Sequence, residues 1–320
     1  TMKRRMIQGL LILALLCGAV LLAHPSAAWA AIEPTQPKQE DGVYQIGTAG
    51  ELYWFAGLVN GDTTIIGTET QQNTAANAVL TDNITINNGV LKENGELNDD
   101  GSNFTQWTPI GNLGNGYTGT FDGKEHTISG LYISKENAEQ NYCAGLFGAV
   151  GKGGTVKNLT LANSTVTVGA SGYTVGGICG HNDGSIENCD NSGAVTYGGG
   201  SIFVYVGGIC GLNGSDGTIT NCSNIGTVTG SGDFPNVGGI CGLNGSDGTI
   251  TNCSNSGNVS GSGSSVYVGG ICGWNNGRIE NCSNSGDVSG AFVGGICGLN
   301  DSDGTISDCD NSGSVTFSGA

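Results

Sequence analysis

The sequence has little charge, little proline and few histidines. Charged side chains make up 12% of its 320 residues, and it contains five prolines and three histidines. So little proline excludes collagen-like and polyproline rods. Ten basic residues stand against 27 acidic ones, which gives a net charge of −17. This acidity disfavours binding to nucleic acid and to anionic membranes, so neither is expected as a partner. No cofactor is expected.

The first 30 residues have the three parts of an export signal. MKRR at 2–5 is basic, residues 9–23 are continuously apolar, and Ala28-Trp29-Ala30 offers a small-x-small cleavage site. We predict a signal peptide at 1–30 that is cleaved after Ala30, and hence a secreted or cell-surface protein with no membrane insertion after cleavage. An uncleaved N-terminal anchor is the alternative. Cleavage removes three basic residues and no acid, which takes the charge from −17 to about −20.

The segment after the leader divides into a linker and a cap. Residues 31–41 (AIEPTQPKQED) predict a short linker, and 42–76 predict an N-terminal cap. Within the cap, Thr48 and Glu51 have capping-box spacing. We therefore predict a helix at about 49–60 with one apolar face, formed by Leu52, Phe55, Ala56 and Val59.

Repetition dominates the remainder of the chain. Short alternating strands separated by Gly, Asn and Asp predict irregular coils over 77–174. Five cysteine-containing repeats then fill 175–320, each opening with V-G-G-I-C-G, at 175–180, 206–211, 237–242, 268–273 and 293–298. A unit of about 30 residues cannot bury its apolar face alone, whereas stacked units can. The sequence therefore predicts an all-β parallel solenoid of stacked coils of about 25–31 residues, with one short capping helix.

Stacking places equivalent residues above one another, which predicts apolar ladders through the repeats. The three ladders consist of Val175, Val206, Val237, Val268 and Val293; Ile186, Ile219, Ile250, Ile279 and Ile306; and Val228, Val259, Val288 and Val315. Ile219 and Cys222 can both face inward only if the chain bends between them. Asn221 is the expected bend, because Asn tolerates the left-handed conformation.

Two cysteines in each repeat replace two large apolar residues of an earlier coil. Phe147 aligns with Cys179, and Leu159 aligns with Cys189, so both cysteine positions are expected to point inward. Joint replacement in an exported chain favours disulfides within each repeat. The predicted pairs are Cys179–Cys189, Cys210–Cys222, Cys241–Cys253, Cys272–Cys282 and Cys297–Cys309. The alternative is a core of reduced thiols that act as small hydrophobic groups. Zinc is disfavoured, because the short Cys-x₂₋₄-Cys spacing is lacking.

The V-G-G-[IL]-x-G motif followed by G-x-I-x-N-C resembles the GLUG-motif repeats of exported bacterial proteins. The resemblance is strongest over 143–320 and implies a right-handed β-solenoid. Such repeats accompany the catalytic domain of some IgA-cleaving metallopeptidases. This sequence has no His-Glu-x-x-His, so the resemblance implies the repeats and not the peptidase.

A carbohydrate-active enzyme, a polysaccharide lyase or glycoside hydrolase, is the main catalytic alternative. Asp122, Glu125 and His126 in FDGKEH are its candidate residues, since paired carboxylates can act as acid and base. Against this, Asp122-Gly123 is also a common turn pair. The turn acids Asp216, Asp247 and Asp303 are weak calcium candidates, because they recur at one edge of the stack. Recurring Thr residues beside the Ile ladder raise a flat hydroxyl surface as a further possibility.

Aromatic residues in or near the variable turns are the candidate ligand contacts: Tyr205, Phe234, Tyr267, Trp274 and Phe292. The alternative role for them is to cover the solenoid edge. We expect a non-catalytic exported repeat module for adhesion, ligand binding or spacing, with a host or cell-surface protein or glycan as partner. The final repeat stops in mid-pattern, so we expect the chain to be truncated or residues 309–318 to be covered.

Overall fold

A computed structural model describes residues 32–98, 100–199 and 203–318. The predicted signal peptide lies outside the described residues. The described chain is a parallel β-solenoid of about eight coils, as the repeats predict. Neither of its helices has the length and apolar character needed to span a bilayer.

Each coil contributes strands to three sheets, and each sheet runs along the stack. Among the described residues the first sheet has six strands: Phe147–Val150, Cys179–Asn182, Cys210–Asn213, Cys241–Asn244, Cys272–Asn275 and Cys297–Asn300. The second sheet, within the same described ranges, has fifteen: Lys38–Glu40, Val43–Ile46, Asn77–Leu80, Ile84–Thr85, Thr120–Ser129, Thr155–Ala162, Ser185–Asn191, Thr218–Thr220, Ser223–Asn224, Thr249–Thr251, Ser254–Asn255, Arg278–Glu280, Ser283–Asn284, Thr305–Ser307 and Asp310–Asn311. The third, again among described residues, has eleven: Tyr132–Ala144, Thr165–Gly176, Ala194–Gly198, Val204–Gly207, Val228–Ser231, Pro235–Gly238, Val259–Ser262, Tyr267–Gly269, Val288–Gly290, Phe292–Gly294 and Val315–Phe317.

Strands of neighbouring coils pair in parallel with like residues opposite like. Val206 pairs with Val175 on one side and with Val237 on the other. Ile219 lies between Ile186 and Ile250 in the same way. The predicted valine and isoleucine ladders are therefore confirmed, and their members up to Val288 are buried. Members in the last coil are more exposed, as in Ile306 and Val315.

The two cysteine positions point inward. Cys179 pairs with Phe147 and Cys189 pairs with Leu159, and all four side chains are buried. The expected bend is present as well, because Asn221 has a φ of 54°. Left-handed residues stand at the same place in the other coils: Asn158, Asn188, Asn252, Asn281 and Asp308. This bend turns the strand so that residues three apart, such as Ile219 and Cys222, share the interior.

Glycine is required where each coil folds back from the third sheet to the first. A Cβ added at Gly242 would lie 2.4 Å from the backbone nitrogen of Val206 in the preceding coil. Gly211 and Gly273 meet Val175 and Val237 in the same way. The backbones of the first and third sheets are therefore in direct contact at the fold-back. The V-G-G-I-C-G motif supplies the glycines that this contact requires.

The N-terminal cap contains more structure than predicted. Helix α1, Ala49–Asn60, is confirmed, with reciprocal capping bonds between Thr48 and Glu51. A second helix of one turn, α2, Thr63–Ile66, follows it and was not predicted. The predicted linker is partly ordered, since Lys38–Glu40 pairs antiparallel with Val43–Ile46. Phe55 of α1 packs against Phe121, so the helix covers the first coils.

Candidate ligand-binding surface

Asp122 is a structural anchor within the second sheet. Its carboxylate accepts hydrogen bonds from Asn158 Nδ2 at 2.9 Å and from the backbone nitrogen of Lys124 at 3.0 Å. Lys124 Nζ lies 3.1 Å from Asp122 Oδ2, and Lys157 Nζ lies 4.0 Å from the same oxygen. Burial acts to raise the pKa of Asp122, but these hydrogen bonds and the lysine charge outweigh it and lower the pKa. Asp122 is therefore held ionised, which suits a structural role better than proton donation.

A bulge separates Asp122 from the other two enzyme candidates. Lys124 and Glu125 have φ values of 50° and 64°, and the strand register shifts between Asp122 and His126. His126 regains the register opposite Leu159. Bulges redirect side chains. The negative charge of Glu125 here raises the pKa of Asp190, which lies in the next coil but one.

Asp190 is a candidate that the sequence reading missed. Its side chain is exposed at the surface. Partial desolvation raises the pKa of Asp190, and the nearby negative charge of Glu125 raises it further. Asp190 also lines a shallow groove of about 280 Å³, together with Thr160, Asn191, Ser192, Ser223 and Ile225. The signal was the repeat register, because Asp190 pairs with Thr160 and Thr160 with Thr127, two residues beyond Glu125.

The turn acids Asp216, Asp247 and Asp303 are exposed. Asp216 makes an ion pair with Lys152, with Oδ2 and Nζ 2.9 Å apart. Asp247 and Asp303 lie in exposed turns of later coils. Within the described part of the chain, no three His, Cys, Asp or Glu side chains are grouped as a metal site requires. The calcium assignment stays a prediction.

Three of the predicted aromatic contacts form one cluster. Tyr267 packs against Trp274 across the fold-back and against Phe292 of the next coil, with ring centroids 6.3 Å and 5.2 Å apart. Tyr205 belongs to the same column, because Asn236 pairs with Tyr205 on one side and with Tyr267 on the other. Phe292 is 49% exposed. The cluster thus covers the fold-back and leaves an aromatic edge in solvent.

The remaining predicted aromatic contact, Phe234, belongs to a stacked pair whose other member, Phe203, was not predicted. Phe234 and Phe203 stack with centroids 6.2 Å apart and ring planes 25° apart. They are 41% and 51% exposed, and both lie in the variable segment of the third sheet. Phe203 has a φ of 64°, which is strained for a bulky residue. Phe203 was missed because its partner is recognisable only when consecutive coils are superimposed.

Within the described chain, none of the predicted disulfides joins two cysteines of one repeat. The ten cysteines of the expected pairs Cys179–Cys189, Cys210–Cys222, Cys241–Cys253, Cys272–Cys282 and Cys297–Cys309 are thiols. Each of these ten thiols instead donates to a backbone carbonyl two residues away, as Cys210 does to Leu212. The register also places cysteine opposite cysteine in the neighbouring coil, so the nearest sulfurs are along the stack. The alternative of reduced core thiols is the arrangement observed.

Comparison with known proteins identifies the repeats. The family described as the GLUG motif matches residues 171–196, 204–229, 235–260 and 264–289, so the chain carries GLUG-motif repeats. The coil that begins at Val293 continues the same register. A crystal structure of a provisionally assigned immunoglobulin A1 protease from Bacteroides ovatus shares the fold, with a TM-score of 0.61 and 22% identity over 89% of this chain and 86% of that one.

Two curated relatives match part of the chain. A provisionally named Gly-rich membrane protein of Evansella cellulosilytica is 38% identical over 82 residues, 26% of this chain and 9% of that protein. Halomucin of Haloquadratum walsbyi is 38% identical over 100 residues, 30% of this chain and 1% of its own length. The chain therefore spans less than a tenth of either relative.

Proposed function

We propose that this chain is a non-catalytic, exported repeat module that binds a host or cell-surface glycan or protein through aromatic side chains on the edge of its third sheet. The solenoid interior is filled by matched columns of Val, Ile and Cys, which supports placing recognition on the rim. Relatives named as a membrane protein and as halomucin support a surface or extracellular location.

The exposed Phe203–Phe234 pair carries this proposal. Two phenylalanines, 51% and 41% exposed, stand on consecutive coils, and one of them has a strained backbone. Strain of this kind costs roughly 1–3 kcal/mol and is concentrated at functional sites. Aromatic faces bind apolar sugar faces and protein side chains. A chain with a net charge of −17 disfavours acidic ligands.

A binding panel tests the proposal. The full chain is applied to arrays of surface glycans and extracellular proteins, and its binding is compared with that of the Phe203→Ala/Phe234→Ala variant. We expect affinity to fall at least about tenfold, which is about 1.4 kcal/mol. Leu113→Ala is the matched control, because Leu113 is also a large apolar residue, 46% exposed, in a different part of the molecule. Equal binding by the double variant and the control would reject the aromatic surface.

A carbohydrate-active enzyme is the second candidate function, and Asp190 is the observation that favours it. A carboxyl with a raised pKa beside a second carboxylate is the pairing that glycoside hydrolases use. Asp190→Asn and Glu125→Gln remove the two groups separately. Loss of glycan turnover in both variants, with turnover present in the parent chain, would support this candidate.

A further inference from the structure

Two continuous columns of cysteine run through the solenoid interior. The first consists of Cys179, Cys210, Cys241, Cys272 and Cys297, each opposite the next in parallel register. The second consists of Cys189, Cys222, Cys253, Cys282 and Cys309. The first four members of each column are 0–1% exposed. Packing alone does not require sulfur, since Phe147 and Leu159 occupy the same columns one coil earlier.

The spacing of these columns suits a bridging ion better than a disulfide. Neighbouring parallel strands lie about 4.8 Å apart, and in-register side chains keep that separation. A disulfide needs Cβ atoms about 3.5–4.5 Å apart and sulfurs about 2.05 Å apart. Two thiolates bound in line through one metal ion, at about 2.3 Å each, have sulfurs about 4.6 Å apart. The strand spacing therefore matches an S–metal–S unit without movement of the coils.

The residues around the cysteine columns determine which coordination number and which net charge a bound metal complex can have. No three His, Cys, Asp or Glu side chains are grouped as a metal site among the described residues, so ions that need three or four such ligands are not accommodated. A charged complex in an apolar core is costly. A divalent soft ion with two thiolates is neutral and needs only two ligands.

We propose that adjacent cysteines of each column bind soft, two-coordinate divalent metal ions, of which mercury(II) is the probe ion, as neutral bis-thiolates. In each event one M²⁺ forms two metal–sulfur bonds, two S–H bonds break, and two protons leave to solvent. Because two protons are released for each ion bound, the affinity increases with pH. In the second column, the backbone nitrogens of Cys253 and Cys282 already donate to Cys282 Sγ and Cys309 Sγ at 3.4 Å.

Pairing along a column of five sets a parity rule. Five thiols hold two ions and leave one thiol over, so two columns hold four ions. Replacing Cys241, the middle member, leaves the pairs Cys179–Cys210 and Cys272–Cys297, and the column still holds two ions. Replacing Cys210 isolates Cys179 and leaves a run of three, which holds one ion.

Native mass spectrometry of the reduced chain with mercury(II) tests this rule. All proteins carry Cys17→Ala and Cys143→Ala, so that ten of the twelve cysteines remain, all in the columns. Cys241→Ala and Cys210→Ala each remove one buried thiol from the same column, so they are matched. A bis-thiolate adds one ion and removes two hydrogens, whereas a single-thiol adduct removes one hydrogen and keeps an anion.

We expect four bis-thiolate ions in the parent, four in Cys241→Ala and three in Cys210→Ala, with the far-UV circular dichroism of the folded chain retained. Five ions in the parent would mean pairing within coils and would overturn the proposal. Equal losses in the two variants would overturn it as well, since binding would then follow thiol number. So would ions that are taken up only as the β-sheet signal disappears.

Discussion

Asn158 donates its side-chain Nδ2 to Asp122 Oδ1 across 2.9 Å, and this bond ends a row of amides along the outside of the solenoid. Asn188 donates to Asn158, Asn221 to Asn188 and Asn252 to Asn221, at 3.0–3.2 Å. Every donor in the row points toward the N-terminal end, so a carboxylate accepts the last bond. The ionised Asp122 therefore belongs to the repeat architecture.

Replacement of Asp122 is expected to destabilise the chain in a pH-dependent way. Asp122→Ala leaves Asn158 and the Lys124 backbone nitrogen without their acceptor, at a cost of about 1–3 kcal/mol in urea unfolding at pH 7. The folded pKa lies below the ordinary value, so the carboxylate stabilises the fold above the unfolded pKa of about 3.9. That contribution is lost as pH falls through the folded pKa.

Asp122→Asn is the matched control for the charge. It keeps an oxygen acceptor for Asn158, but its side chain does not ionise. The difference in unfolding free energy between this variant and the parent is therefore expected to shrink as pH falls from about 5 toward about 2.5, a range that spans the carboxyl pKa. A constant difference across this range would show that the Asp122 charge does not contribute.

A buried amide is expected to matter more than an exposed one. Asn244 Nδ2 donates to Asn275 Oδ1 at 2.8 Å and to Gly248 O at 3.0 Å, and its Oδ1 accepts from Asn213 at 2.9 Å. Asn244→Ala leaves buried groups unpaired and is expected to cost roughly 2–4 kcal/mol in the free energy of unfolding.

Asn252→Gly is the comparison for Asn244→Ala. Asn252 is exposed and left-handed, with a φ of 56°, so glycine keeps the backbone conformation and water replaces the lost amide bonds. We expect a loss of less than about 1 kcal/mol. Similar losses from the two substitutions would contradict the distinction between the buried Asn244 amide and the exposed row that contains Asn252.

The fold-back glycines are expected to tolerate no side chain. Gly242→Ala places a Cβ 2.4 Å from Val206 N and 2.7 Å from Gly211 O, both backbone atoms that cannot rotate away. We expect a loss of about 3 kcal/mol or more, measured by thermal or urea unfolding. Gly198→Ala is the control, because its nearest neighbour is Ser231 Oγ at 3.8 Å, and it is expected to stay within about 0.5 kcal/mol of the parent. Equal effects would refute the close backbone contact.

Repetition made most of the fold predictable, and its absence explains what was missed. Val206 over Val175 and the bend at Asn221 follow from aligning the sequence with itself. The bulge at Lys124–Glu125 lies in a coil with no close copy, so the position of Glu125 relative to Asp190 is visible only in the register between coils. Helix α2 is one turn long, too short for a periodic pattern.

The cysteines show a different limit. Self-alignment gave their inward direction correctly, but it does not distinguish a partner within the coil from one in the next coil. The structure makes that distinction through the parallel register, which sets Cys210 opposite Cys241. The aromatic side chains that we propose as ligand contacts lie on the rim, and the stacking of Phe203 on Phe234 is visible only when consecutive coils are placed in register.

Turnover on a glycan panel tests the non-catalytic account most directly. The full chain is incubated with neutral and acidic polysaccharides, and released oligosaccharides are measured by mass spectrometry beside the binding measurement. We predict binding that depends on Phe203 and Phe234, with no product above that of a heat-denatured control. Product that accumulates with the parent chain and disappears in Glu125→Gln and Asp190→Asn would contradict the account and assign the chain a catalytic site.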